Sequence, residues 1–155
     1  MCVLRLPELK TVAMIPQILI ATSAAIALVL GFLHLAYTFF TRKLNPRDEE
    51  LERLMRQVSP RLTRQTTMWK GWIAFNASHS LGIILFGTIY GYLSLFAWPL
   101  LVRSGFFLGL GIAFFASHLL VAKRYMFKSP LISVALAASL YFLGFVMVIL
   151  GWAKT

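Results

Sequence analysis

Long apolar runs alternate with short stretches rich in lysine and arginine along this chain. Four runs stand out, at about residues 15–40, 72–97, 104–122 and 130–151, and none contains a charged residue. A helix that crosses a hydrocarbon core of about 30 Å needs roughly 20 apolar residues. Each run is long enough. Inside lipid the backbone must satisfy its own hydrogen bonds, which leaves helices or a closed barrel. Barrel strands alternate in polarity over about ten residues, and these runs do not. The pattern predicts an all-α membrane protein, one integral membrane domain over residues 1–155. Short connections at 98–103 and 123–129 favour antiparallel neighbours, so the expected architecture is an up-down-up-down four-transmembrane-helix bundle.

The long polar stretch, residues 41–70, has a pattern of its own. Asn45 suits an N-cap and Pro46 the first helical position. Asp48, Glu49 and Glu50 put negative charge where the helix dipole favours it. Leu51, Leu54, Met55 and Val58 recur at i, i+3, i+4 and i+7, one face of a helix. Glu49 with Arg53, and Glu52 with Arg56, are i, i+4 pairs in the favourable order. Ser59-Pro60 ends the run. A short amphipathic helix over about 46–58 is expected, lying on the membrane surface or docking a partner protein.

Composition and charge agree with this reading. Hydrophobic residues make up 59% of the 155, and charged residues only 13%. A soluble domain carries about 25% charge. Cys2 is the single cysteine, which excludes an internal disulfide framework and a dithiol redox motif. Of the 15 Lys and Arg residues, eight lie in the 41–70 loop and three more are Lys123, Arg124 and Lys128. The positive-inside rule places both loops in the cytoplasm and both termini outside. Trp69 and Trp72 mark the inner end of the second span, with Trp98 and Trp152 at outer ends, as in an aromatic belt. The first run is too long for the core of a signal peptide and is read as a retained span. The net charge of +10 is explained by attraction to anionic lipid. No nucleic-acid module is present, and no nucleic-acid partner is expected.

Burial of oil cannot hold such helices together, so small residues and a few interhelical hydrogen bonds must. Every span carries small residues at helical spacing. They are Ser23, Ala27 and Gly31 in the first; Ala74, Ser78 and Gly82, and separately Gly87 and Gly91, in the second. The third has Gly105, Gly109, Ala113 and Ser117, and the fourth Ala135 and Ser139. The rows do not say which contacts are internal and which join a second subunit. No internal repeat is evident, so an inverted-repeat transporter gains no support.

Three histidines, His34, His79 and His118, sit within three different spans. Counting 1.5 Å per residue from the nearest inner-face charge puts them at depths of about 12, 13–14 and 7–8 Å. A polar group in hydrocarbon needs a partner, so they should point inward. One reading is a buried hydrogen-bond layer of His34, Asn76, Ser78, His79, Ser117 and His118. Another is a transition metal or haem held by His34, His79 and His118, since imidazole is a common metal ligand. A third is a lipid, quinone or other hydrophobic small molecule bound beside them. No Asp or Glu lies inside a span, so an acid-based proton relay and an oriented Ser-His pair are both missing. The glycines form no phosphate loop.

The run Phe75-Asn76-Ala77-Ser78-His79-Ser80-Leu81-Gly82, followed by Phe86-Gly87, resembles small uncharacterised bacterial proteins with four transmembrane helices. Their second helix carries a similar F-N-x-S-H-S-x-G run. The resemblance covers about one span closely and the four-span layout loosely. It implies a polar patch of Asn76, Ser78, His79 and Ser80 on the second helix and no activity; the expected location is a bacterial cytoplasmic membrane. With no complete catalytic set, the chain is read as a non-enzymatic membrane module. Its expected partners are lipids and other membrane subunits or further copies of itself. The alternatives are the histidine-based metal or haem site and the hydrophobic-ligand site.

Overall fold

The four apolar runs form four long helices in a computed structural model, which describes the backbone of residues 6–152 and the side chains of 14–152. Cys2, Arg5, Lys154, both chain ends, and the side chains of Glu8 and Lys10 lie outside the described residues. In chain order the helices are α1 (Leu6–Phe40), α2 (Glu49–Gln57), α3 (Met68–Phe96), α4 (Trp98–Arg103), α5 (Gly105–Tyr125) and α6 (Lys128–Ile149). Four of these are long and apolar enough to cross a membrane: Met14–Phe40 of α1, α3, α5 and α6. The protein is an all-α, multi-pass membrane protein, as its hydrophobic pattern predicts. The chain divides into two compact units, Met1–Ala27 with Phe86–Thr155, and Leu28–Leu85.

The first unit draws on all four long helices. Ser23 of α1 donates its hydroxyl to the Ala137 carbonyl of α6 at 2.7 Å. Gln17 of α1 reaches the Ser94 carbonyl of α3 at 2.7 Å. Tyr90 of α3 and Tyr141 of α6 donate to successive α5 carbonyls, Phe107 at 2.6 Å and Leu108 at 3.1 Å. Their rings meet edge to face, with centroids 5.8 Å apart. Phe86 stacks on Phe114 at 3.6 Å. Gly111 makes room for this layer, because a Cβ there would run into the Tyr141 ring and hydroxyl. Only two residues separate α5 from α6, and these helices pack side by side.

The connection at residues 98–103 is not an open loop. It folds as α4, with Pro99 in the first turn, and buries Leu101 completely. Pro tolerates the first turn of a helix, where its missing N–H is not needed. Ser104 then caps α5 by accepting from the Phe107 N–H at 3.3 Å. At the far end, α6 stops where Gly151 takes φ +86°. The Gly151 and Trp152 N–H groups bond back to Val148 and Met147, both at 3.1 Å, a glycine-dependent helix stop.

The second unit contains the polar loop. Helix α2 starts later than its sequence pattern suggests. Asp48, not Asn45, is the N-cap, and its carboxylate accepts from Glu50 and Leu51 N–H. Asn45 turns instead to Glu52, donating to Oε2 at 3.1 Å. A carboxylate three residues closer to the first turn meets the dipole better than an amide. Glu52 also accepts from Arg56 at 2.7 Å, the expected i, i+4 pair, and lies 3.7 Å from Arg42. Arg53 pairs with Glu50, one turn back, in place of Glu49. Arg56 also stacks over Trp69 at 4.2 Å, and Trp72 donates to the Leu44 carbonyl at 3.1 Å. Both ends of the loop are thereby tied to α2 or to each other.

Candidate functional site: a histidine–asparagine pair between two helices

The second unit brings α1 and α3 into close contact. A Cβ on Gly31 would lie 2.8 Å from Ile84 Cγ1 and 3.2 Å from the Ser80 carbonyl. One turn further along α1, His34 Nε2 lies 2.9 Å from Asn76 Oδ1. The direction of this bond follows from the other end of the amide. Asn76 Nδ2 donates to the Trp72 carbonyl at 2.8 Å, so Oδ1 faces the imidazole and Nε2–H must donate. In the neutral ring Nδ1 is then the acceptor. His79 stands edge-on to His34, with centroids 5.5 Å apart and planes at 81°. Phe75 lies parallel to His79 at 6.4 Å.

Two hydroxyls complete the cluster. Thr38 donates to the His34 carbonyl and Ser80 to the Asn76 carbonyl, each at 2.8 Å. Both side chains are buried, as is Asn76. Their spacing of i+4 from His34 and Asn76 is the sequence signal that could have placed them here, since a hydroxyl in lipid can bond back one turn.

Of the six side chains expected in one polar layer, the structure brings together His34, Asn76 and His79. Ser78 and Ser117 are exposed. Each donates to a carbonyl of its own helix, Phe75 at 3.0 Å and Phe114 at 2.8 Å, so neither needs an inward partner. His118 belongs to the first unit. Its Nδ1 donates to the Phe114 carbonyl at 2.9 Å, and its ring leans on Phe114 at 4.1 Å. Among the described residues, no group of three or more His, Cys, Asp or Glu is gathered to hold a metal ion.

The charged part of the unit is the α2 loop. The Arg56 hydrogen bond holds the Glu52 carboxyl below its ordinary value, with help from Asn45 and Arg42 and against some desolvation. The Arg53 hydrogen bond does the same for Glu50. Both acids are thus committed to internal pairs. Arg47, Arg61, Arg64 and Lys70 are exposed and make no ion pair among the described residues.

Family models, curated proteins and solved structures yield no match to this chain.

Proposed function

We propose that the protein is a non-enzymatic membrane subunit that works in an assembly, with further copies of itself or with other membrane subunits. One observation carries this reading. The α5 row Gly105, Gly109, Ala113 and Ser117 is exposed along its whole length, and a Cβ at Gly105 or Gly109 would meet nothing within 4 Å. The α3 row Ala74, Ser78 and Gly82 is exposed as well. Contacts within the units use other small residues: Ser23, Ala24, Ala27, Gly31, Gly111, Ala137 and Ala138. Bare helix backbone facing lipid is the surface on which transmembrane helices approach one another closely.

The setting is a bacterial cytoplasmic membrane, with the basic loops inside, both termini outside and α2 on the inner surface. The basic residues of the loops and the resemblance of the 75–82 run support it. Purification in mild detergent and native mass spectrometry test the assembly. The expected particle is an oligomer or a stoichiometric complex, weakened by Gly109→Ile. A monomer that brings no membrane protein with it overturns the reading.

A second reading rests on the two imidazoles 5.5 Å apart. They would bind a hydrophobic small molecule with a polar head, such as a quinone, through the His34 Nδ1 acceptor. Extraction of purified protein should then release such a molecule, and His79→Ala should abolish its retention. Haem bound at the same pair would appear as a Soret band in the optical spectrum.

A further inference from the structure

We infer that the cleft between the C-terminal half of α5 and the start of α6 is a binding site for one anionic phospholipid. A groove of about 420 Å³ runs there, lined by Ala116, Leu119, Leu120, Lys123 and Leu131. Its wall is hydrocarbon, and Lys123 is the one charged residue that lines it. The groove spans about seven residues of α5, or roughly 10 Å along the axis, which suits a length of acyl chain.

Charge decides which lipid. Lys123 and Arg124 occupy the last turn of α5, and Lys128 begins α6. All three are exposed, and none of them makes an ion pair among the described residues. Lys123 on the groove itself, with Arg124 and Lys128 at the adjoining helix ends, makes a cationic cluster that fits a phosphate head carrying net negative charge. A zwitterionic head would bring its own ammonium into the same cluster. Tyr125 and Phe127 are also largely exposed, as aromatic rings are where a helix leaves the acyl region for the headgroups. A second copy of this chain would have to bring an acid to the mouth, and every acid whose side chain is described lies in the other unit, within residues 48–52.

Native mass spectrometry of the full chain in detergent tests the site. The probes are phosphatidylglycerol and phosphatidylcholine of equal chain length. Phosphatidylglycerol should bind with at least about a tenfold preference. Combined Lys123→Ala, Arg124→Ala and Lys128→Ala should erase that preference. Ala116→Phe, which fills the groove, should weaken both lipids. Arg61→Ala with Arg64→Ala, in the other basic loop, should leave the tightest binding unchanged. Glycerol phosphate should not compete. Equal binding of the two lipids by the unaltered protein overturns the inference and needs no variant to fold. So do competition by glycerol phosphate, loss of the preference on Arg61→Ala with Arg64→Ala alone, or a change of oligomeric state on Ala116→Phe with lipid binding intact.

Discussion

His34 on α1 and Asn76 on α3 share a hydrogen bond of 2.9 Å across 42 residues of sequence, and the Asn76 amide is itself oriented by the Trp72 carbonyl. A side-chain bond between membrane helices contributes about 0.6 kcal/mol on average and up to about 1.7. In a double-mutant cycle of His34→Ala and Asn76→Ala, unfolding in detergent should show a coupling within that range. A coupling of zero would mean that the pair does not join the helices.

Gly111 and Gly109 lie two residues apart on α5 and face opposite fates. Gly111→Ala drives a methyl into Tyr141, whereas Gly109→Ala enters open space. Overpacking costs about 1–3 kcal/mol, so Gly111→Ala should lower stability by that amount, and Gly109→Ala should leave it nearly unchanged. Melting temperatures of the two purified variants decide. Equal values would refute the packing of α5 against Tyr141.

The α2 loop should loosen in acid. The carboxyls of Glu50 and Glu52 are held below their ordinary value of 4.5 by Arg53 and Arg56. A depressed carboxylate adds stability that is present above its unfolded value and is lost as pH falls through the folded one. The loop should therefore be insensitive to pH above the ordinary carboxyl value of 4.5 and should open only as the pH falls below it. Hydrogen exchange over residues 49–57, or fluorescence of Trp69 beneath Arg56, would follow it. Glu52→Gln should remove much of the transition.

The apolar face of α2 is about half exposed among the described residues. Leu51, Leu54 and Val58 are 49%, 41% and 51% exposed. If the helix rests in the headgroup region, brominated lipids should quench the nearby Trp69. Leu54→Glu should reduce that quenching without changing the melting temperature in detergent. Unchanged quenching would point to a partner protein as what covers this face.

The chain's own pattern was enough for the number of spans, their approximate limits and the presence of α2. Those features depend on local matters: a run of apolar residues about as long as a bilayer is thick, or a leucine every third and fourth residue. The cap of α2 was less legible, because Asn45 and Asp48 are both capping residues and only the turn geometry selects one. The helical turn at 98–103 was not legible either, because six residues are too few for a periodic pattern to show, and burial of Leu101 accompanies the turn that forms.

The grouping of side chains belonged to the tertiary structure alone. Helical spacing says which residues share a face but not what the face meets. His34, Asn76 and His79 meet because Gly31 lets α1 and α3 approach closely. Ser78 and Ser117 needed no partner across a helix interface, since each hydroxyl closes a bond to its own backbone. The small-residue rows show the same division. Ser23, Ala27 and Gly31 are buried, while Gly105, Gly109, Ala113 and Ser117 are exposed. Nothing in the spacing distinguishes these rows, because in lipid an exposed small residue and a packed one are equally apolar. Only the rotation of each helix about its axis, set by neighbours distant in sequence, separates them.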